Sequence, residues 1–279
     1  MTRPFHLLAL AALLLLTACE DVIDVNIPQA SPQLVVEGAV TDQPGPYTVT
    51  LTRTVPYFDA RTQPPVPGAV LTLRDADGQT ETLRERAPGV YATRTFRGRI
   101  GGRYRLTIKT EGEEYEAETE IRRTPPIDSI RAEFRPATGL DEAGYYVLYY
   151  GPELPGVGDY YRFKLIRNGL LLNRPIDLFV RSDELVDGRY IGAFELNNNN
   201  GEEITFVPGD RITVEMNSLP RDYFFFLNEI VTQLNNTGLF AAPPANVRTN
   251  VRNVRGAAAP PAVGYFAGYT VRRDSVIVQ

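Results

Sequence analysis

Histidine and cysteine are nearly absent from this sequence, since each occurs once, as His6 and Cys19. We expect His6 to be removed with a signal peptide and Cys19 to be acylated, which leaves the mature chain without a free thiol or an imidazole. Such a chain cannot form a disulfide, a Ser-His-Asp or Cys-His catalytic site, or a zinc site of the usual Cys/His type. Acid–base chemistry on paired carboxylates, as in glycosidases, remains open.

Lysine is also scarce, because Lys109 and Lys164 are the only two. Without Arg3, the chain after residue 18 has 28 basic and 34 acidic residues, a formal charge of −6. This acidic balance argues against nucleic-acid binding. The arginine-rich composition suits the pairing of guanidinium forks with carboxylates, although codon bias in a GC-rich genome is an equally good explanation.

No apolar run is long enough to span a bilayer, which takes roughly 20 residues. Leu7–Leu16 has ten, preceded by Arg3 and followed by Thr17-Ala18-Cys19. This pattern is typical of a lipoprotein signal peptide that is cleaved after Ala18 and leaves Cys19 for acylation. The alternatives are an ordinary secretory signal and a buried core cysteine. The lipid on Cys19 would be the only membrane anchor.

The sequence predicts four segments. Residues 1–18 are the signal peptide, and residues 19–32 are an acidic, proline-containing tether. Residues 33–123 and 124–279 are two β-rich domains, divided at Pro125-Pro126 because two prolines cannot continue a strand ladder.

Residues 33–123 show about seven short alternating strands, which predict an antiparallel immunoglobulin-like or transthyretin-like sandwich. The best-determined element is a hairpin at 103–121 with a two-residue turn at Glu111-Gly112. In that register apolar residues face each other on the inner side, and three successive outer pairs bring opposite charges together. These pairs are Lys109 with Glu114, Arg105 with Glu118 and Arg103 with Glu120. The arginines explain this row of glutamates better than a cation site does, and Asp75–Gly78 is better explained as a turn than as a calcium loop.

The second β-rich domain carries one predicted amphipathic helix at about 219–235. Ser218 is its expected N-cap, with Pro220 in the first turn. Tyr223, Phe224 and Phe225 make the start of the helix apolar over most of its surface. The helix therefore either packs between the two domains or presents these three side chains to a partner. Tyr57-Phe58, in a loop with four prolines at 54–68, is a further candidate contact.

Several short motifs, in order along the chain, together resemble a known family. They are Gln33–Gly38, Pro65–Ala69, Gly89-Val90-Tyr91, Pro126–Ile130 and Gly264-Tyr265-Phe266. With the lipoprotein signal, they are similar to the domain of unknown function 4249 family of Bacteroidota lipoproteins, many of which are encoded beside TonB-dependent outer-membrane transporters. The resemblance implies an outer-membrane lipoprotein, on the cell surface or the periplasmic face, with such a transporter as its partner. The family has no established catalytic residues to carry over. The segment from Gly89 to Leu106 also resembles the carboxypeptidase regulatory-like sandwich, in fold only.

Three functions are compatible with these features. The leading one is a non-enzymatic accessory or ligand-binding lipoprotein, and the second is a structural or adhesive β-module. The third is a carboxylate-based glycan hydrolase, for which candidate pairs such as Asp141-Glu142 and Asp183-Glu184 exist only as adjacent, surface-like residues. Neighbours in a strand point to opposite faces, whereas that chemistry needs two carboxyl groups about 5–10 Å apart across a cleft. The sequence predicts no catalytic residue, cofactor or metal site.

Overall fold

Short runs of alternating apolar and polar residues form most of the regular structure. The computed structural model describes residues 31–56, 62–139, 143–197, 205–236 and 245–279. In this part of the chain there are eighteen strands, one α-helix (α1, Arg221–Leu234) and a 3-10 helix at Pro175–Asp177. The first nine strands are β1 Leu34–Thr41, β2 Thr48–Arg53, β3 Val70–Asp75, β4 Thr80–Thr82, β5 Arg84–Ala87, β6 Val90–Ala92, β7 Arg103–Thr110, β8 Glu113–Glu120 and β9 Ser129–Arg135. The other nine are β10 Gly144–Pro152, β11 Tyr160–Arg167, β12 Leu170–Leu171, β13 Phe179–Ser182, β14 Tyr190–Glu195, β15 Arg211–Leu219, β16 Val251–Asn253, β17 Ala262–Tyr269 and β18 Arg272–Ile277.

Two five-stranded sheets form the first sandwich. Their strand orders are β17-β1-β2-β6-β5 and β16-β8-β7-β3-β4. Val36 and Leu51 of the first sheet share one buried cluster with Leu106 and Ile108 of the second. The mainly β fold that the sequence predicts is therefore confirmed.

The hairpin formed by β7 and β8 has the register that the charge pattern predicts. Leu106 lies opposite Ala117, and Arg105 lies opposite Glu118. The Arg105 guanidinium donates to Glu118 at 2.9 Å from Nε and 2.5 Å from Nη2. At the turn, Glu111 and Gly112 have φ angles of 51° and 78°. Positive φ at both central residues is the geometry that a two-residue hairpin turn requires.

The chain's last strands correct the predicted division at residues 123–124. β16 pairs with β8, and β17 pairs in parallel with β1, so residues 251–253 and 262–269 belong to the sheets of the first sandwich. Val36 lies opposite Gly264, which has a φ of 89°, and a Cβ atom there would lie 2.2 Å from the Val36 carbonyl oxygen. Only glycine allows the two strands to approach this closely. Pro32–Gln279 is one compact unit, and the sandwich has a parallel pair that the sequence did not predict.

The second half of the unit contains two more sheets around a second core. One has the order β14-β10-β9, and the other has the order β12-β11-β15-β18 with β13 also paired to β11. Val147, Phe163 and Val214 lie in the cluster that these sheets share. The proline-containing segment between β8 and β9 is outside any strand, as predicted.

Helix α1 lies within two residues of its predicted bounds, but its N-cap is Pro220. Ser218 was the wrong choice because β15 continues through Leu219, and the Ser218 hydroxyl instead donates to the Arg123 carbonyl oxygen at 2.5 Å. Leu227 is the buried residue of the helix. The described residues include no helix of the length and apolarity that a membrane span needs.

Candidate functional site

Several residues singled out from the sequence lie outside the described part of the chain. They are Ala18, Cys19, Tyr57, Phe58 and the pair Asp141-Glu142. Lipidation at Cys19, cleavage after Ala18 and a contact role for Tyr57-Phe58 remain predictions.

The three aromatic residues at the start of α1 pack within the molecule. The Tyr223 ring lies 4.9 Å from that of Tyr265 on β17, and the Phe224 ring lies 4.6 Å from that of Tyr160 on β11. The Arg248 guanidinium lies over Phe225, 5.1 Å from the ring centre. The helix thus contacts both the first sandwich and the second half, and all three side chains are half-buried. Whether they also contact a partner stays a prediction.

A groove of about 680 Å³ opens beside the N-terminal end of this helix. Its walls are Pro220–Asp222, the Tyr265 side chain, and residues of β7, β8 and the end of β3. We call it the helix-end groove. Backbone N–H groups at a helix N-terminus lack intrahelical partners, so this wall offers hydrogen-bond donors. The volume falls in the range typical of small-ligand sites.

The helix-end groove is charged with both signs. Its lining includes four arginines and four carboxylates, namely Arg74, Arg103, Arg105, Arg221, Asp75, Glu118, Glu120 and Asp222. Glu118 binds Arg105, and Glu120 binds Arg122 at 3.1 Å, so these two carboxylates are already paired. Such a surface suits a polar ligand or peptide that carries complementary charges.

A second polar site lies where three loops meet in the second half. Glu153, Asp159 and Asp183 are 5%, 1% and 0% exposed, and one carboxylate oxygen from each lies within 4.8 Å of the other two. We call these three residues the carboxylate cluster. Glu153 follows β10, Asp159 precedes β11, and Asp183 follows β13. The antiparallel pairing of β11 with β13 brings Asp159 and Asp183 to the same end of the sheet.

Local hydrogen bonds hold each member of the carboxylate cluster. Asp183 accepts from the backbone N–H groups of Gly158 and Asp159, at 2.9–3.1 Å. Glu153 Oε1 accepts from the Tyr161 hydroxyl at 2.6 Å. Arg123, in the segment between β8 and β9, donates to Asp159 Oδ2 from Nε at 2.9 Å and from Nη2 at 2.7 Å.

Burial perturbs the titration of this region. It raises the pKa of the Glu153 carboxyl group, and the charges of Asp159 and Asp183 raise it further, against the opposing hydrogen bonds from Tyr161 and Leu154. Burial likewise raises the pKa of the Tyr161 phenol, with the Glu153 carboxylate adding to the effect. Perturbed groups that share one site with a convergence of carboxylates mark it as a functional candidate.

The comparisons with known proteins identify the family. The sequence profile described as Domain of unknown function (DUF4249) matches residues 20–275. The chain belongs to this family. The resemblance seen in the short motifs of this DUF4249 member is thereby confirmed. No curated protein matches the chain.

Two expectations about carboxylates change once this DUF4249 member is seen in three dimensions. Asp183 and Glu184 were expected to be two adjacent surface residues, but Asp183 is fully buried and Glu184 is exposed. The carboxylate cluster itself was missed, because its residues are separated by up to thirty positions and none forms a metal-ligand motif. The sequence offered only a weak indication of this site. Gly156 and Gly158, just before Asp159, are typical of a tight loop.

Proposed function

We propose that this protein is a lipid-anchored, non-enzymatic binding protein of the outer membrane. In this proposal residues 1–18 are removed, the lipid on Cys19 holds the protein to the membrane, and the tether that follows carries the folded unit. A TonB-dependent transporter is the proposed partner, on the strength of the family resemblance. The protein works at the cell surface or at the periplasmic face.

The helix-end groove is the observation that supports a binding role. It combines a ligand-sized volume with a helix N-terminus and charged side chains of both signs. A purely structural or adhesive module would need no such concavity. The groove also differs from a hydrolase cleft, since Glu118 and Glu120 are held by arginines.

The carboxylate cluster does not favour the hydrolase alternative. Its three members are at most 5% exposed, so a glycan cannot reach them as the chain is folded. Glycoside hydrolysis needs two carboxyl groups on opposite sides of an accessible sugar.

Affinity purification from solubilised outer membranes, under native conditions, tests the partner. We expect the full-length protein to recover a TonB-dependent barrel. Arg74→Glu reverses an exposed charge that lines the helix-end groove and should reduce this recovery several-fold. Arg84→Glu makes the same change on the exposed strand β5, outside the groove lining, and should leave recovery unchanged. Repeated failure of the wild type to recover a barrel would contradict the transporter partnership, and equal effects of the two variants would contradict the role of the groove.

Replacing Cys19 with Ala tests the anchor separately. We expect the variant to appear in the soluble fraction without incorporating labelled fatty acid, whereas Thr17→Ser should leave both lipidation and membrane association intact. A Cys19→Ala protein that stays membrane-bound and carries the label would show that the lipoprotein assignment is wrong.

A further inference from the structure

We propose that the carboxylate cluster binds one divalent cation of the calcium type. This inference is independent of the binding role proposed for the helix-end groove, which lies elsewhere in the unit. It starts from the convergence of Glu153, Asp159 and Asp183, one oxygen of each lying within 4.8 Å of the other two. Three carboxylates in this arrangement can share one metal ion.

An unsatisfied buried oxygen is the second, independent observation. Asp159 is 1% exposed, and its Oδ1 atom has no hydrogen-bond partner among the described residues. Oδ2 is already occupied by the two donors of Arg123, so Oδ1 is the oxygen left to bind a ligand. Arg122 Nη2 lies 3.9 Å from Oδ1, which is too far for a hydrogen bond. Buried polar atoms in native proteins are nearly always satisfied, and a bound ion is one way to satisfy them.

The charge balance of the site points in the same direction. Three carboxylates are buried together, and Arg123 is the only cation that hydrogen-bonds to one of them in the described structure. Buried charges are normally paired or bind metals, because desolvation penalises an isolated ion. Arg122 forms only a longer ion pair with Asp159, at 3.9 Å, and is shared with Glu120, so a divalent cation would compensate the charge that the two arginines leave.

The ligand chemistry selects the metal. All three side chains offer hard oxygen atoms, and neither cysteine nor histidine is part of the cluster. Calcium accepts six to eight oxygen ligands in flexible geometry, whereas magnesium keeps several of its water molecules. Glu153, Asp159 and Asp183 come from three separate loops and are held by their own hydrogen bonds, so the flexible geometry of calcium fits the site better than the strict octahedron of magnesium.

Calcium titration of the full-length protein in detergent, after removal of metals with a chelator, tests the site. We expect isothermal titration calorimetry to show one calcium ion per chain, magnesium to bind at least about 10-fold more weakly, and the melting temperature to rise with calcium concentration. A folded wild-type protein that shows no saturable calcium binding would overturn the proposal and leave the cluster as an arginine-compensated structural network.

A matched pair of variants assigns the binding to the cluster. Asp159→Asn removes the negative charge of the carboxylate whose Oδ1 atom is unsatisfied, and it should weaken calcium binding at least about 10-fold. Glu184→Gln makes the same type of change at an exposed neighbour of Asp183 and should not alter the affinity. Equal affinities of Asp159→Asn and wild type would overturn the assignment, and so would equal losses in both variants.

Terbium luminescence provides a readout that survives if Asp159→Asn fails to fold. Terbium replaces calcium at oxygen sites and is sensitised by a nearby tyrosine. Tyr161, whose hydroxyl donates to Glu153, is placed to do this, and the chain has no tryptophan. We expect tyrosine-sensitised emission that calcium displaces and that Tyr161→Phe diminishes. Emission that calcium does not displace would place the ion elsewhere and contradict the proposal.

Discussion

Lys164 and Glu215 lie directly opposite each other on β11 and β15, and the Lys164 ammonium donates to Glu215 Oε1 at 2.7 Å. Arg273, the opposite neighbour on β18, donates to Glu215 Oε2 at 2.8 and 2.5 Å. The Glu215 side chain is 6% exposed. Three adjacent strands are therefore joined by one carboxylate that is held between two cations.

The first prediction concerns this carboxylate. Glu215→Gln should lower the free energy of unfolding at neutral pH by about 3 kcal/mol, because it leaves the mostly buried Lys164 ammonium without its counterion. Glu118→Gln breaks the exposed pair with Arg105 and should cost less than about 1 kcal/mol. Denaturant unfolding of both variants checks this, and equal losses would contradict it.

The second prediction is the pH dependence of the same group. Burial acts to raise the pKa of Glu215, but the bonds from Lys164, Arg273 and Asn217 outweigh it and hold the pKa at about 2, below its usual 4.5. Because the folded-state pKa is depressed, this stabilisation is present above pH 4.5 and is lost as the pH falls towards 2. The unfolding free energy of the wild type should fall over that window more steeply than that of Glu215→Gln. Parallel curves would contradict the assignment.

The third prediction compares two glycines with positive φ. At Gly112 in the β7–β8 turn, an added Cβ meets nothing within 4 Å. Gly112→Ala should therefore lower the free energy of unfolding by about 1 kcal/mol, through backbone strain alone. Gly264→Ala adds a clash with the Val36 carbonyl to the same strain and should cost about 3 kcal/mol or more. Thermal and denaturant unfolding measure both. A smaller loss at Gly264 than at Gly112 would show that β1 and β17 can separate freely.

The fourth prediction concerns Arg123. Arg123→Met leaves the buried Asp159 carboxylate without its bidentate partner and should destabilise the protein by about 3 kcal/mol. In the wild type the guanidinium of the adjacent Arg122 lies 3.9 Å from Asp159 Oδ1. Arg122→Met should therefore lower the free energy of unfolding by about 1 kcal/mol or less. Unfolding at calcium concentrations held constant by a chelator buffer separates this effect from metal binding. Similar losses in both variants would rule out a special role for Arg123.

The fifth prediction tests how α1 is held. Leu227 is 4% exposed, in a cluster with Tyr160, Val180 and Leu219, so Leu227→Ala should cost about 2–4 kcal/mol. Leu234, at the end of the same helix, is 44% exposed, and Leu234→Ala should cost less than about 1 kcal/mol. If the two costs are alike, the helix is not held through its buried face.

Local patterns in the sequence determined most of the secondary structure. Alternation and turn chemistry predicted the β7–β8 hairpin in its correct register, because a two-residue turn and two faces of different polarity allow only one pairing. The periodicity of 223–234 predicted α1, although the N-cap was misplaced because β15 runs directly into it. The short ordered motifs also identified the family.

Contacts between distant parts of the chain were decided only by the tertiary structure. Alternation shows which face of a strand is buried and carries no information about which strand lies beside it, so the return of β16 and β17 to the first sandwich could not be predicted. The helix-end groove and the carboxylate cluster likewise depend on contacts between residues that are distant in the sequence. Asp159 and Asp183 are ordinary loop residues in the sequence, and they become neighbours because β11 pairs with β13 and brings both to one end of the sheet.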